Sequence, residues 1–588
     1  MEKTFTPKRL VLLAGAVSID EFQRLAETAK ASGFTHVDIG ALTEKSRHQL
    51  MNDGEYCPGY DFYPEYTARF PGFFKFHVPF ALASTVPADY AKKNLEALAE
   101  RGSIAAQAGL RGTFFGCEPQ FLPESVYEAH PDWRGPRCDH LFRSLTPCFA
   151  PCIDNPDVLE LYRTASHFIV DAAPILDTFG LLANDSGAGI CWSPDLYAGE
   201  NGPSGCRDVP MPERVAGFME AVSCGTNSAG TSPVVYVYHI GIWSYSGCVP
   251  LIGANDGSRL AFCRPPLDKP IACENPLSML TELETAAQAD CDTVVFAIEG
   301  AAAFSKNSVY PALVAGFRQQ PSANLIERLA ILREALGEAL SEPGIDWMLN
   351  SWVYLDRALD EFKKLFKQSF FFYLSVSERW LTRPLVAFPL ELTEDERSYY
   401  EAHVWNVLGE DVGGDLLDLH GSRWGEILQM PAEARRVERT CTLIMEGLNT
   451  AVESARKVLG TKPGAEMEAH LEDTLCRLQG LGCLVRNFNN VIQFQVQMDL
   501  AKDGGRINSG DHVLVANIMR DEVDNTRELI RLLETSRQPL ITLAATAKDE
   551  DTFTMSPDLV GQLEKKIAIM LKHWRDPERL YLARPGYV

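Results

Sequence analysis

Thr178-Phe179-Gly180-Leu181-Leu182-Ala183-Asn184-Asp185-Ser186-Gly187-Ala188-Gly189 carries the clearest strand-and-turn pattern of the chain. An apolar run ends abruptly in an adjacent amide and carboxylate, and small residues follow. The run suits a strand buried in a barrel wall, with the polar pair emerging at the strand's C-terminal end and the glycines allowing another molecule to come close. Successive strand side chains point opposite ways, but where a strand end twists into a loop both can reach one pocket. The plainer reading of the same residues is an Asx turn with a glycine stop.

Short β-branched or aromatic runs of the same kind recur on either side, at Leu10–Val17, His36–Leu42, Gly112–Phe121, Pro233–Ile240, Thr293–Glu299 and Trp347–Val353. A weaker one lies at Leu260–Cys263, and Phe73–Val78 reads as a strand or part of an insertion. Helical spacing separates them: Phe22, Leu25, Ala26 and Ala29 form one stripe, and Val158, Leu161, Ala165 and Phe168 form another after the start signal Asn155-Pro156. About eight strand–helix units predict an α/β fold, a (β/α)8 TIM-type barrel over residues 1–355. No GxGxxG follows a strand and no GxxxxGK[ST] occurs, so the sequence carries neither common nucleotide signal.

From residue 356 to 588 the strand signals fade. Leu471, Leu475, Leu478, Leu481 and Val485 make a helical stripe, as do Val515, Ile518 and Met519. Asp524 with Arg527 and Glu528 with Arg531 stand at ion-pair spacing. The expectation is a mostly α-helical C-terminal domain, packed on the barrel or on another copy of the chain.

The 588 residues carry a net charge of -24 with 46% hydrophobic and 23% charged residues. That composition is globular, and its charge argues against nucleic acid or an anionic membrane as the main partner. The apolar run at Leu10 is too short for a signal peptide, and no run of about 18 apolar residues occurs. A cytoplasmic location follows as the expectation, with the 15 cysteines as thiols. Cys138, Cys148 and Cys152 lie close together without a CxxC pair, so neither a metal nor a cofactor is expected.

Chemistry-bearing residues collect at the strand ends. Glu118 closes Phe114–Cys117, Tyr238 and His239 close Val234–Val237 with Trp243 beyond, Glu299 closes Thr293–Ile298, Asp38 lies in the second strand and Trp352 ends the last. A charged residue closing an apolar strand is rarely core unless paired. The loop after Asp185 holds Trp192 and Tyr197, rings on which sugar faces stack, although the same rings can simply hold the loop down. Arg111, Arg134, Arg137, Arg143 and Arg207 lie near or within the loops and can clamp a carboxylate.

These features resemble the hexosaminidase-type glycoside hydrolases of families 20, 84 and 85, on the helix start Asn155-Pro156-Asp157-Val158, the strand Thr178–Ala183 and the polar pair after it. The resemblance implies that Asp185 is the general acid and that Asn184 orients a substrate acetamido group. Those families carry Asp-Glu, Asp-Asp and Asn-Glu at the pair, so Asn-Asp departs from each of them. Without a participating acetamido group a second carboxylate is needed, with Glu299 first in order and Glu118 and Asp38 behind it. Glu118, Asp38, Trp192, Tyr197, Tyr238, His239, Trp243 and Trp352 then bind a small carbohydrate. Two rivals stand beside this reading. One is a divalent-metal sugar isomerase or epimerase using His77, Glu118, Asp185, His239 and Glu299. The other is a non-catalytic glycan binder.

Overall fold

A computed structural model describes residues 4–15, 17–43, 66–83, 86–139, 147–183, 186–190, 209–230, 232–239, 253–264, 271, 273–298, 304, 308–337, 339–367, 379–403, 431–502, 511–547, 550 and 554–582. The described residues of 1–57, 64–265 and 279–331 form one compact unit, and those of 266–278 and 332–588 form another.

The first unit is built from seven parallel strands: β1 (Arg9–Leu13), β2 (His36–Asp38), β3 (Arg111–Cys117), β4 (Leu176–Ala183), β5 (Val234–His239), β6 (Leu260–Cys263) and β7 (Thr293–Ala297). They pair in the order β5-β4-β3-β2-β1-β7-β6, with the two-residue strand Gly253–Ala254 running antiparallel along β5. Helices α1 (Ile19–Ala31), α2 (Ala88–Gln107), α3 (Pro156–Ala172), α4 (Met211–Ser228), α5 (Pro276–Gln288) and α6 (Tyr310–Gln319) connect and follow the strands. Sequence sets their starts. Ser18 and Glu21 form a reciprocal cap on α1, and the Asn155 side chain accepts the Asp157 and Val158 amides, with Pro156 just inside α3.

The cyclic strand order is that of a β/α barrel, but among the described residues the ladder stays open between Gly253–Ala254 and β6. Over the described residues the sheet is a half-barrel of α/β type, and closure into the expected eight-strand barrel is not among the pairings described. One of the expected strands is a helix, for a clear reason. Trp347–Val353 lies inside helix α7 (Glu342–Lys367), where Ile345, Met348, Leu349, Trp352, Leu355, Ala358 and Leu359 are buried at helical spacing. Aromatic and branched side chains imitate a strand there while their period is that of a helix. Phe73–Lys75 is likewise a 3-10 turn and not a strand.

The second unit is helical, with α7, α8 (Glu394–His403), α9 (Pro431–Gly460), α10 (Ala465–Lys502), α11 (Asp511–Thr535) and α12 (Leu559–Lys572). Leu471, Leu478, Leu481 and Val485 are buried as their stripe requires. Asp524–Arg527 and Glu528–Arg531 pair at 3.1 and 2.7 Å. A polar cluster lies in this apolar core. Glu522 accepts from Lys566, from Asn487 at 2.7 Å and from Asn490 at 2.9 Å, and Glu522 and Lys566 are both fully buried. The segment Arg379–Pro384 is anchored within the same unit through Arg379 to Glu550 and Arg383 to Gln495. Among the described residues no helix is long and apolar enough to cross a membrane.

Candidate active site

Parallel strands end at one side of the sheet, so residues near their C-terminal ends share one face. Alternation divides them there. Val11, Phe115, Val295 and Ala297 pack inside the sheet, with Leu13, Tyr238, Leu260 and Phe262 partly buried against them. Cys117, Leu182 and Ala188 continue this lining, beside Phe70 and Tyr238. The Phe262 ring lies 5.0 Å from Tyr238 and 5.8 Å from Phe115, and the Arg264 guanidinium sits 4.6 Å above it. Leu13, Tyr238 and Phe262 are partly accessible and Arg264 is exposed. The inner face thus offers solvent an aromatic floor with a positive charge against it.

Asp38 ends β2 on this inner face, opposite Thr113 in the register. Its carboxylate accepts the Phe115 amide at 2.9 Å and the Thr113 hydroxyl at 3.4 Å. The Ile39 amide still bonds the Thr113 carbonyl, so the Asp38 side chain takes the next amide where the ladder would otherwise offer a backbone oxygen. Burial pushes the Asp38 carboxyl up to about 7, against the pull of the Phe115 amide, the Arg101 charge, the Thr113 hydroxyl and the Gly40 amide. A carboxyl so placed can hold or release a proton near neutrality.

Glu118 faces the other way. Cys117 points inward, and one residue later the carboxylate lies among the outer layers. It accepts the Phe73 amide at 2.5 Å, the Gln120 amide at 3.0 Å and the Tyr162 hydroxyl at 3.0 Å. Burial pushes Glu118 up to about 7, and burial also lowers Lys75, nearby, to about 7. Lys75 spends its protons on the Ala68 and Phe70 carbonyls, at 2.6 and 2.7 Å. Glu118 and Lys75 therefore fasten the segment after β2 to the sheet. His77 belongs to the same layer, stacked on Phe168 at 4.0 Å. Among the described residues no group of three metal-binding side chains assembles.

The loop after β4 is held by a backbone lattice. Gly187 donates to the Cys138 carbonyl at 2.7 Å and accepts the Phe121 amide at 2.8 Å, while Ser186 accepts the Thr67 amide at 2.9 Å. At Gly187 φ is +88°, a conformation other residues rarely adopt.

Other expected residues fall elsewhere. Asn184, Asp185, Trp192, Tyr197, Trp243 and Glu299 lie outside the described residues, and His239 is described only in its backbone, paired with Ala183. Trp352 is buried on α7 in the second unit and not at a strand end. Arg111, at the other end of the sheet, is joined to Asp177 at 3.1 Å, and Asp177 also holds His36 at 3.0 Å. Arg134 pairs with Glu124, and Arg137 with Asp139 at 2.6 Å; Arg143 and Arg207 lie outside the described residues. Phe262 and Arg264 escape sequence reading because their strand carries only four residues of weak pattern, although an aromatic two positions before an arginine is visible there.

No family model matches the chain, and no curated protein matches it. In structure it is similar to a GH138 enzyme targeting pectin rhamnogalacturonan II, at a TM-score of 0.50 and 9% sequence identity, over 99% of this chain and 69% of that one. The chain shares the fold of a glycoside hydrolase. The likeness runs through both units, and nothing in it singles out the hexosaminidase-type families.

Proposed function

We propose that the chain is a glycoside hydrolase that binds its sugar on the inner aromatic face at the C-terminal ends of the parallel strands. The observation that carries this reading is Asp38, an inward carboxyl raised to about 7 beside the Phe115–Phe262–Tyr238 floor. Glycoside cleavage needs a proton donor to the leaving oxygen and a carboxylate for the positive charge growing at the anomeric carbon. Asp38 supplies a group of suitable proton affinity, and Asp185 or Glu299 supplies its counterpart. The shared fold with a glycoside hydrolase supports the same reading.

Arg264 points to the substrate class. Its guanidinium lies against the floor, and a sugar bearing a carboxylate gains a charge-assisted bond there that a neutral sugar lacks. A terminal acidic sugar on a short oligosaccharide is the preferred substrate in this account. Substrate-assisted cleavage of an N-acetylhexosaminide by Asn184 and Asp185 is the finer alternative, carried by the sequence pair alone.

The test is a panel of chromogenic aryl glycosides: uronides, N-acetylhexosaminides and neutral hexosides. The account expects uronide cleavage, with KM raised about tenfold or more in Arg264→Ala. Cleavage of N-acetylhexosaminides with no effect of Arg264→Ala would transfer the assignment to the Asn184–Asp185 pair. No turnover and no binding across the panel would end the proposal.

A further inference from the structure

The strand–helix connection after β3 carries an antiparallel hairpin, Arg134–Arg137 against Phe149–Pro151, in which Arg137 faces Phe149. The next facing pair is Cys138 and Cys148, ten positions apart, with the Cys138 amide bonded to the Cys148 carbonyl at 2.9 Å. Their sulfurs are 3.8 Å apart on one side of the hairpin. Facing residues of an antiparallel pair have Cα separations of ~4.5–5.5 Å, inside the range a disulfide spans. Ala68, Val86, Tyr90, Ala91 and Phe121 surround the two sulfurs.

We propose that Cys138 and Cys148 are a disulfide-forming pair that staples this hairpin beneath the loop following β4. The link to that loop is the Cys138 carbonyl, which accepts the Gly187 amide at 2.7 Å. Asp185 stands two positions before Gly187 in the sequence, and Asn184 three. Oxidation draws the sulfurs from 3.8 Å to bonding distance and fixes the residue that supplies this carbonyl, so the restraint passes to the backbone of 186–190.

The chemistry needs a disulfide oxidant, either oxidised glutathione or the active-site disulfide of a thiol oxidase. As a residue Cys148 is 7% exposed and Cys138 0% exposed, which makes Cys148 the first to react in this proposal. Its thiolate attacks one oxidant sulfur, breaks the oxidant's S–S bond and forms a mixed disulfide, releasing one thiol. The Cys138 thiolate then attacks the Cys148 sulfur and displaces the second thiol. The protein loses two hydrogens, and they end on the two released thiols. Cys152 is the control: its amide bonds the Trp133 carbonyl and its sulfur is directed to Asp154 at 4.0 Å.

The experiment equilibrates the full chain with reduced and oxidised glutathione, blocks remaining thiols by alkylation and maps the tryptic peptides. Peptide 138–143 is expected joined to 144–163, with fragmentation placing the bond on Cys148. Cys152→Ser should keep the link, and Cys148→Ser should abolish it. Hydrogen exchange of the wild-type chain gives a second readout that no variant can spoil by misfolding: amides of 186–190 should exchange several-fold more slowly in the oxidised form. Full alkylation of Cys138 and Cys148 in the most oxidising buffer overturns the proposal, as does a bond from Cys138 to Cys152. A bond that leaves exchange over 186–190 unchanged overturns the stapling role.

Discussion

The Asp38 carboxylate accepts the Phe115 amide at 2.9 Å, so the end of β2 and the aromatic floor on β3 are positioned by one bond. The carboxyl is both a ladder element and a buried acid. Its two roles respond differently to substitution, which makes them separable.

The first prediction concerns pH. The folded Asp38 carboxyl stands at about 7, above its unfolded value of roughly 3.9. An acid raised on folding contributes stability that is full below the unfolded pKa and lost as pH rises through the folded one. Glu118 acts in the same direction over the same window. Thermal melting from pH 4 to 8 should therefore show stability falling toward pH 7, with a smaller fall in Asp38→Asn. An unchanged slope in that variant would contradict the burial of the charge.

Glu118→Gln tests the framework role. The amide cannot accept all three of the Phe73, Gln120 and Tyr162 donors, so folding stability should drop by about 1–3 kcal/mol. Denaturant unfolding measures the loss, and kcat of the folded variant should stay within about threefold of wild type by the same logic, since the described side-chain bonds of Glu118 go to Phe73, Gln120 and Tyr162. A large loss of kcat with full stability would return Glu118 to the reacting set.

Lys566→Met tests the buried polar cluster of the second unit. Removing Lys566 takes the ion-pair partner from the fully buried Glu522, a cost of about 3–5 kcal/mol. Adding Glu522→Gln should restore most of it, which a double-mutant cycle by chemical denaturation would show. Additive losses would mean that the two residues do not interact.

Trp352→Ala should behave as a core deletion, costing about 3–5 kcal/mol, because the indole is 2% exposed on α7. Titration of the folded variant with the best glycoside should leave KM unchanged. A specific rise in KM without destabilisation would restore Trp352 to the sugar-binding set.

Much of this arrangement was legible in the sequence, and the failures have physical causes. β4 and the cap at Asn155 stood out because a buried parallel strand and a helix start each have strong local signatures. Asp38 was visible as a carboxylate in an apolar strand. Glu118 was visible on the same grounds yet faces outward, because one residue of strand register moves a side chain to the opposite side of a sheet. Trp347–Val353 misled because residue type suggested a strand while the spacing of Met348, Trp352 and Leu355 was helical. Phe262 and Arg264 owe their place to the pairing of β6 with β7, a contact between distant segments that local pattern does not announce.

In the proposed reaction Asp38 exchanges a proton with the substrate on the inner aromatic face. The most direct measurement is kcat/KM against pH for the best aryl glycoside, with wild type and Asp38→Asn. The expected result is a wild-type limb with a midpoint near 7, absent from the variant together with at least about a hundredfold of its activity, the scale of general acid–base catalysis. A variant that keeps both the limb and the rate would contradict it.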